Sequence, residues 1–302
     1  AESVAGDVER GGLVVLRSEP RRLTMDVGPL GYLSIAAHGH ADALAVTLSH
    51  DSQELIVDPG TGSYYGNPLW RTAFRGTRAH ATVCVDGLDQ SEIGGRFYWS
   101  RHAVSTVRSV DLDRGIVDAQ HDGYRRLDDP VVHRRWLIAA PDDPTVVVVD
   151  LLDGRSAHDV AVSWPLHPQL DVTATDDGHL VTRAGLPVIQ LCYAATAPVQ
   201  VEQHRGDTDA QLGWFSDRLE AREPAWLLTA RARAELPLAM LSVLRTADAD
   251  TIALPEIVRD GEMLRASWSE CGFRRGLTID MADSGAVVNI PFLSPVRLVS
   301  ES

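Results

Sequence analysis

Short runs rich in β-branched, aliphatic and aromatic residues recur along the chain, with turn residues between them. Such runs cover residues 13–17, 22–27, 131–138, 146–150 and 160–164. The run at 146–150 begins with four consecutive valines. They place β-branched side chains on both faces of one strand and so predict a strand in the interior. No long amphipathic helical pattern interrupts the series. The sequence therefore predicts an all-β, antiparallel β-sandwich.

The domain organisation follows from where this pattern begins. Residues 1–10 are polar and have no clear period, so we expect a linker or tail there, followed by one domain over residues 11–302. Within the domain, residues 68–76 are the best candidate for a short helix. Residues 237–244 are apolar and fit either a helix or a strand.

The net charge limits the possible partners. The chain has 28 Lys and Arg against 42 Asp and Glu, a net charge of −14, which argues against nucleic acid and against a polybasic membrane contact. It also opposes long-range attraction of a polyanion, which would need a local basic patch. Arg71, Arg75 and Arg78 are the candidates for that patch.

The cysteines and the apolar runs bear on the compartment. The three cysteines are odd in number and widely spaced, so we expect buried thiols rather than a disulfide framework. No apolar run approaches the ~20 residues of a membrane-spanning helix, and the N-terminus shows no targeting pattern. Ala1 in place of Met suggests a processed or truncated product.

The closest grouping of potentially catalytic or metal-binding side chains is in His38-Gly39-His40-Ala41-Asp42. In an extended strand, side chains two apart share a face, so both histidines would point to one spot, and Gly39 would leave the backbone open to close approach. From Asp42 on, Leu44, Val46 and Leu48 share one parity, which predicts a strand with one buried face. If that strand extends back continuously to His38, then His38, His40 and Asp42 point the same way as its apolar face.

Two further residues can join this spot. Asp58 ends one strand-like run and His80 begins another, so antiparallel pairing could bring both beside His40. Two imidazoles and a carboxylate fit a zinc ion with a fourth position for water or substrate. Asp42 is then the nearest group to accept the second N–H of a ligating histidine. The alternative is a set of ordinary hydrogen-bonded polar residues at the end of a sheet.

The same residues carry a resemblance to a known family. The histidine motif, then Val57-Asp58-Pro59-Gly60-Thr61, Thr77-Arg78-Ala79-His80 and Val85-Asp86-Gly87-Leu88-Asp89-Gln90-Ser91-Glu92 resemble the C-terminal domain of the heparinase II/III family of polysaccharide lyases. Weaker points continue this order, among them His133-Arg134-Arg135-Trp136. The resemblance implies a large multi-sheet β-sandwich and zinc held by the positions of His40, Asp58 and His80.

The resemblance also implies roles at other positions. His38 matches a position that the family uses in catalysis, where a histidine suits proton transfer because its pKa lies near neutrality. Tyr64 matches the family pattern Pro-Gly-Thr-x-Ser-Tyr and would contact a sugar, or merely pack. Arg75 and Arg78 could bind carboxylate or sulfate as planar donors, or pair with acidic side chains instead.

Several features depart from the family pattern. Ala81 stands where relatives commonly have Asn, and Gly62 where they often have an aromatic residue. Family members also carry an upstream α/α toroid, which supplies the remaining base, acid and carboxylate neutraliser. This sequence has no helical region in that place. It would therefore hold half of an active site, with the toroid upstream or in another chain.

Three functional hypotheses result. The first is the C-terminal domain of an extracellular or periplasmic lyase that cleaves an acidic, uronic-acid-containing polysaccharide by β-elimination. A glycosaminoglycan such as heparin, an alginate and a bacterial exopolysaccharide all fit, and the acidic composition disfavours the most highly sulfated polymers. The second is a non-catalytic, zinc-stabilised β-sandwich for carbohydrate binding or assembly. The third is a hydrolase that uses a zinc-bound water.

Overall fold

The computed structural model describes residues 12–246, 252–281 and 296–297. The linker expected at residues 1–10 lies outside these ranges. Within them, no helix is long and apolar enough to cross a membrane.

The described chain is built almost entirely of antiparallel strands. Their bounds in chain order are β1 Leu13–Ser18, β2 Arg21–Asp26, β3 Val46–His50, β4 Gln53–Ile56, β5 Val83–Val85, β6 Glu92–Gly95, β7 Tyr98–Arg101, β8 Ser105–Asp111, β9 Ile116–His121, β10 Val132–Ile138, β11 Thr145–Asp153, β12 Ala157–Pro165, β13 Leu170–Thr175, β14 Gly178–Arg183, β15 Leu186–Ala195, β16 Gln200–Arg205, β17 Trp214–Phe215, β18 Glu223–Pro224, β19 Trp226–Glu235, β20 Leu238–Thr246, β21 Ile252–Asp260, β22 Met263–Glu270, β23 Phe273–Asp280 and β24 Val296–Arg297.

The strands form sheets stacked in three layers. An eight-stranded sheet, in the order β13-β14-β15-β20-β11-β10-β9-β8, is the middle layer. One of its faces packs on two four-stranded sheets, β1-β2-β3-β4 and β16-β19-β12-β5. Its other face packs on the sheet β21-β22-β23-β24. The predicted all-β, multi-sheet antiparallel sandwich is confirmed.

The four consecutive valines show why the middle sheet is buried on both sides. Val146 and Val148 belong to the core on one face of β11, and Val147 and Val149 belong to the core on the other. Side chains alternate along a strand, so an uninterrupted β-branched run needs an apolar layer on each side. The predicted interior strand is confirmed.

One α-helix, α1, spans Pro68–Arg75 in the described chain. Asn67 caps it by accepting a hydrogen bond from the Leu69 N–H, and Pro68 suits the first turn because its missing N–H would have no helical partner there. The buried face includes Trp70 and Phe74. The predicted helix is confirmed, whereas the ambiguous segment at 237–244 proves to be strand β20.

Three local expectations were wrong. The histidine stretch is a loop, because β3 begins only at Val46 and Leu44 has a φ of 61° that breaks an extended strand. Strands β4 and β5 do not pair with each other but belong to different sheets. Cys271 is exposed, although Cys84 and Cys192 are buried as expected.

Candidate functional site

Four side chains converge where the sheet β1-β2-β3-β4 adjoins strand β5. His40, Asp42, Asp58 and His80 each offer a ligand atom, and these atoms all lie within 4.8 Å of one another. The Nδ1 of His40 lies 3.1 Å from the Nε2 of His80, which lies 3.5 Å from the Oδ2 of Asp58. The structure thus brings together the three residues expected to bind metal, and adds Asp42 as a fourth donor. We call these four residues the acid-histidine cluster.

The spacing within the cluster suits a zinc ion. Zinc–nitrogen bonds of about 2.0–2.1 Å in a tetrahedral site place two ligand atoms about 3.3 Å apart. The distances of 3.1 and 3.5 Å bracket that value. Imidazole and carboxylate groups are also the donors that zinc takes in proteins.

His80 is oriented by the backbone. Its side chain is 1% exposed, and its Nδ1 lies 2.8 Å from the carbonyl oxygen of Gly76. A carbonyl can only accept, so Nδ1 carries the proton and Nε2 is left with a lone pair facing the cluster. This is the second hydrogen bond that orients a metal-binding histidine. The carbonyl of Gly76 makes it, whereas Asp42 was the residue expected there.

The electrostatics of the cluster favour a bound cation. Burial, then the nearby charges of His80, Arg71 and Arg75, lower the pKa of His40 to about 3, so its imidazole is neutral and able to bind metal. Burial, then the charges of Asp26 and Asp58, raise the pKa of Asp42 well above its usual range. A cation would relieve this crowding of carboxylates.

Two glycines let the backbone approach closely enough to form the cluster. A Cβ on Gly39 would lie 1.9 Å from the carbonyl oxygen of Leu30, so the predicted close approach at this residue is real. Gly60 has a φ of 80°, and its N–H donates to Oδ1 of Asp58 at 2.7 Å. That bond holds the carboxylate with Oδ2 turned towards His80.

His38 lies outside the cluster and pairs with Tyr64 instead. Its Nδ1 and the Tyr64 hydroxyl share a hydrogen bond of 2.8 Å, and the imidazole is exposed. The guanidinium of Arg71 lies 5.0 Å from the centre of the Tyr64 ring. Glu220 fixes the backbone here by accepting from the Tyr64 N–H and from the Ser63 hydroxyl. The two residues expected at the reaction centre are therefore adjacent.

The expected basic patch does not form at the surface. Arg75 is 1% exposed, donates to the carbonyl oxygens of Gly95 and Arg96, and lies 4.7 Å from the ring of Trp99. This position does not fit the substrate contact expected of Arg75, because its donors face backbone oxygens inside the protein. Arg71 is buried as well.

Arg78 is exposed but faces a different surface. It lines a groove with Cys84, Asp86 and Asp159 on the outer side of the sheet that contains β5. The groove beside the acid-histidine cluster does not include Arg78 among its lining residues. The local contact between sugar and Arg78 that the resemblance implies therefore finds no support in this placement.

Sequence reasoning missed the residue that ties the cluster loops to the core. Arg135 is fully buried and donates to the carbonyl oxygens of Leu44 and Ala81, next to the Asp42 loop and His80. It also binds both oxygens of Asp150. The signal that could have found it is a charged residue inside an otherwise apolar strand pattern, since such a charge needs a buried partner.

Comparisons with known proteins agree with this fold. The family profile described as Heparinase II/III-like, C-terminal, matches residues 4–241. A structure of heparinase III superposes with a TM-score of 0.68 at 13% identity, covering 88% of this chain and 40% of that one. A mutant heparan sulfate lyase HepC from Pedobacter heparinus gives 0.67 at 13% identity, covering 89% and 41%.

A third structure, the heparinase III product of BT4657, gives a TM-score of 0.65 at 16% identity, covering 88% of this chain and 41% of that one. No curated protein matches the sequence. The chain thus spans about two fifths of the length of these structures, and at such low identity they show a shared fold. The family profile covers well over half of the sequence, and the chain belongs to the heparinase II/III-like C-terminal family.

Proposed function

We propose that this chain is the C-terminal part of a lyase that cleaves a uronic-acid-containing polysaccharide by β-elimination, with zinc bound by the acid-histidine cluster. The observation that carries the proposal is the hydrogen bond between His38 and Tyr64 only two residues from His40. A pair of proton-transferring side chains beside a cation site is the equipment that such a reaction needs.

Each step of the elimination makes a demand on the protein. The uronate carboxylate must be neutralised, the proton on C5 must be removed, and the departing 4-oxygen must be protonated. His38 is exposed and can take or give a proton, while Tyr64 holds its Nδ1 and thereby sets the direction of its Nε2. The Tyr64 ring or hydroxyl can also contact the sugar.

The donor set bears on what the metal does. When bound, zinc would supply positive charge that holds the histidine loop, the Asp58 loop and the His80 segment together. Four protein donors are typical of structural zinc, whereas catalytic zinc keeps one position for water. Asp42 as a fourth donor therefore favours a zinc that positions His38, and disfavours the hydrolase that uses a zinc-bound water.

The four protein donors of the cluster also support a second candidate function. A closed zinc site could stabilise a β-sandwich that binds carbohydrate or assembles with a partner without catalysis. For the lyase, we propose an α/α toroid, upstream or in another chain, that supplies the remaining catalytic groups. We also propose that the protein acts outside the cytoplasm, in the periplasm or the extracellular space, where acidic polysaccharides occur.

The test uses the protein in its complete encoded form. It is incubated with a panel of uronic-acid polymers, and the ultraviolet absorbance of the unsaturated product is followed. Absorbance that disappears in His38→Ala supports the lyase. New reducing ends without absorbance indicate a hydrolase. Retention on immobilised polysaccharide with neither signal overturns the lyase proposal in favour of the binding domain.

A further inference from the structure

We infer that Arg17 and Arg22 form an anion-binding pair in a groove that continues from the acid-histidine cluster, where they bind a charged group on a second sugar of the substrate. The inference rests on the proposed function for the class of ligand, an acidic polysaccharide. Neither arginine belongs to the acid-histidine cluster, and both line the groove.

The groove has a volume of about 1070 Å³. Its floor is the outer face of the sheet β1-β2-β3-β4, and Asp58 of the cluster lines it as well. That volume is at the upper end of what small-molecule sites enclose, so the groove can take a ligand longer than one sugar. Because Asp58 belongs to both, the groove and the cluster are continuous.

The two arginines face each other across neighbouring strands. Arg17 on β1 is the direct partner of Arg22 on β2, and both are exposed. Neither side chain makes a hydrogen bond or ion pair with any residue in the described part of the chain. Like charges directly opposite each other destabilise a sheet. This pair therefore carries an unfavourable interaction that the fold does not compensate.

Several other arginines of this acidic protein are paired with carboxylates. Arg135 binds Asp150, and Arg231 binds Asp159, in each case through two nitrogens. Four acidic residues also line the groove, namely Glu19, Glu54, Asp58 and Asp217, yet none of them pairs with Arg17 or Arg22. An unrelieved pair of cations in a protein of net charge −14 indicates that an anion from outside completes it.

Strand geometry gives the approximate distance between the arginine pair and the acid-histidine cluster. Arg22, Thr24 and Asp26 alternate on the outer face of β2, while Leu23 and Met25 are buried in the core. At ~3.3 Å per residue, Arg22 lies about 13 Å along the strand from Asp26. The backbone of Asp26 forms hydrogen bonds of 2.8 and 2.9 Å with Leu44 and Ala45, which follow Asp42 of the cluster. The arginine pair is thus displaced from the acid-histidine cluster along the outer face of the sheet.

The walls of the groove suit a sugar chain. Thr47 lines the floor, and its hydroxyl shares a hydrogen bond of 2.6 Å with that of Thr24. On the opposite wall, the rings of His167 and Phe215 lie 5.7 Å apart, and Phe215 offers an apolar face. Two guanidinium groups that face each other can grip one carboxylate or sulfate from both sides, because each presents a planar fork of N–H donors.

The test measures binding to the chain itself by calorimetry, at low ionic strength. The ligands are oligogalacturonate, which carries carboxylates, dextran sulfate, which carries sulfates, and neutral dextran of matched length. The variant is Arg17→Gln/Arg22→Gln. The matched control is Arg125→Gln/Arg259→Gln, which makes the same change in net charge at exposed arginines that do not line the groove.

We expect the parent to bind at least one of the anionic polymers and not dextran, and the groove variant to bind about tenfold or more weakly. The control should bind within about twofold of the parent. The polymer that binds better distinguishes carboxylate from sulfate. The melting temperature of the groove variant should be equal to or above that of the parent, because the repulsion between Arg17 and Arg22 is removed.

Two results would overturn the inference. One is equal affinity of the groove variant and the parent, and the other is a parent that binds neither anionic polymer. Neither result decides the proposed function, which depends on the unsaturated product formed by the complete protein. Conversely, loss of affinity in the groove variant, together with no unsaturated product, would keep the anion site and reject the lyase.

Discussion

Arg135 and Asp150 are joined by two hydrogen bonds of 2.6 and 2.9 Å in the middle of the eight-stranded sheet. The third guanidinium nitrogen of Arg135 reaches the backbone on both sides of the acid-histidine cluster, at Leu44 and Ala81. Arg135 therefore connects a buried ion pair to the two segments that carry Asp42 and His80. The core of the sandwich and the candidate metal site are mechanically linked through one side chain.

Replacement of Arg135 by methionine should destabilise the protein strongly. Asp150 would keep a buried charge without its main partner, which typically costs about 3–5 kcal/mol of unfolding free energy. Urea denaturation provides the measurement. The matched control is Arg231→Met, which removes a similar pair with Asp159 at the surface and should cost less than about 1 kcal/mol. Equal losses in the two variants would contradict a special role for the buried pair.

Asp42 should act as the fourth zinc ligand. Zinc at about 1000 times its dissociation constant should raise the unfolding free energy of the parent by about 4 kcal/mol. Asp42→Asn should weaken zinc binding at least tenfold and reduce that gain by about 1.4 kcal/mol or more. The measurement is thermal unfolding of chelator-treated protein with and without added zinc, together with metal analysis.

The control for this prediction is Asp51→Asn, a carboxylate in the exposed turn between β3 and β4. It should leave the zinc effect unchanged. If Asp42→Asn also leaves it unchanged, the site has three protein ligands and an open position, as the sequence alone suggested. The hydrolase hypothesis would then regain support.

Local sequence pattern was sufficient where the structure depends on local chemistry. The valines at 146–149 specify a doubly buried strand, and the Asn67-Pro68 pair specifies the start of α1. The pattern failed for the histidine loop, because Leu44 takes a positive φ while its carbonyl accepts from Arg135, ninety-one residues away in sequence. Alternation along a short segment cannot reveal a partner at that distance.

The sequence likewise predicted which residues form the candidate site, but not the long-range contacts that assemble it. The residues that meet could be named from the motif, but not the sheets that bring them together, since β4 and β5 belong to different sheets. The sequence placed Arg75 in a surface basic patch. It is buried instead, because it donates to the carbonyls of Gly95 and Arg96, which no spacing rule identifies. The juxtaposition of Arg17 and Arg22 likewise depends on the register between β1 and β2, which the sequence does not specify.

His158 should contribute stability that depends on pH. Burial opposes its protonation, but the hydrogen bonds to Asp86 and Asp129, at 2.7 and 3.0 Å, outweigh burial and raise the pKa of His158 above its usual value. A raised folded-state pKa stabilises the protein below the unfolded pKa of about 6.5, and the benefit disappears as pH rises through the folded value.

The measurement is the difference in unfolding free energy between the parent and His158→Gln from pH 5 to pH 9. We expect it to be largest at the acid end and to shrink towards the alkaline end. Buried His121 and His133, whose pKa values are lowered by burial, affect both proteins alike and cancel in the difference. His102→Gln, at an exposed histidine, is the control and should show no trend. A constant difference for His158→Gln would refute the prediction.

Tyr64 should affect catalysis through its hydroxyl alone. Tyr64→Phe keeps the ring beside Arg71 but removes the hydrogen bond to His38. Loss of a group that orients or transfers a proton typically lowers the rate by about 10²–10⁴-fold, so kcat of the complete protein should fall while zinc content and melting temperature stay the same. The neighbouring Tyr65 is exposed and packs on Phe97 without touching His38, so Tyr65→Phe should retain full activity. Equal activity of both variants would show that Tyr64 only packs, because Tyr64→Phe would then have lost the hydrogen bond to His38 without effect.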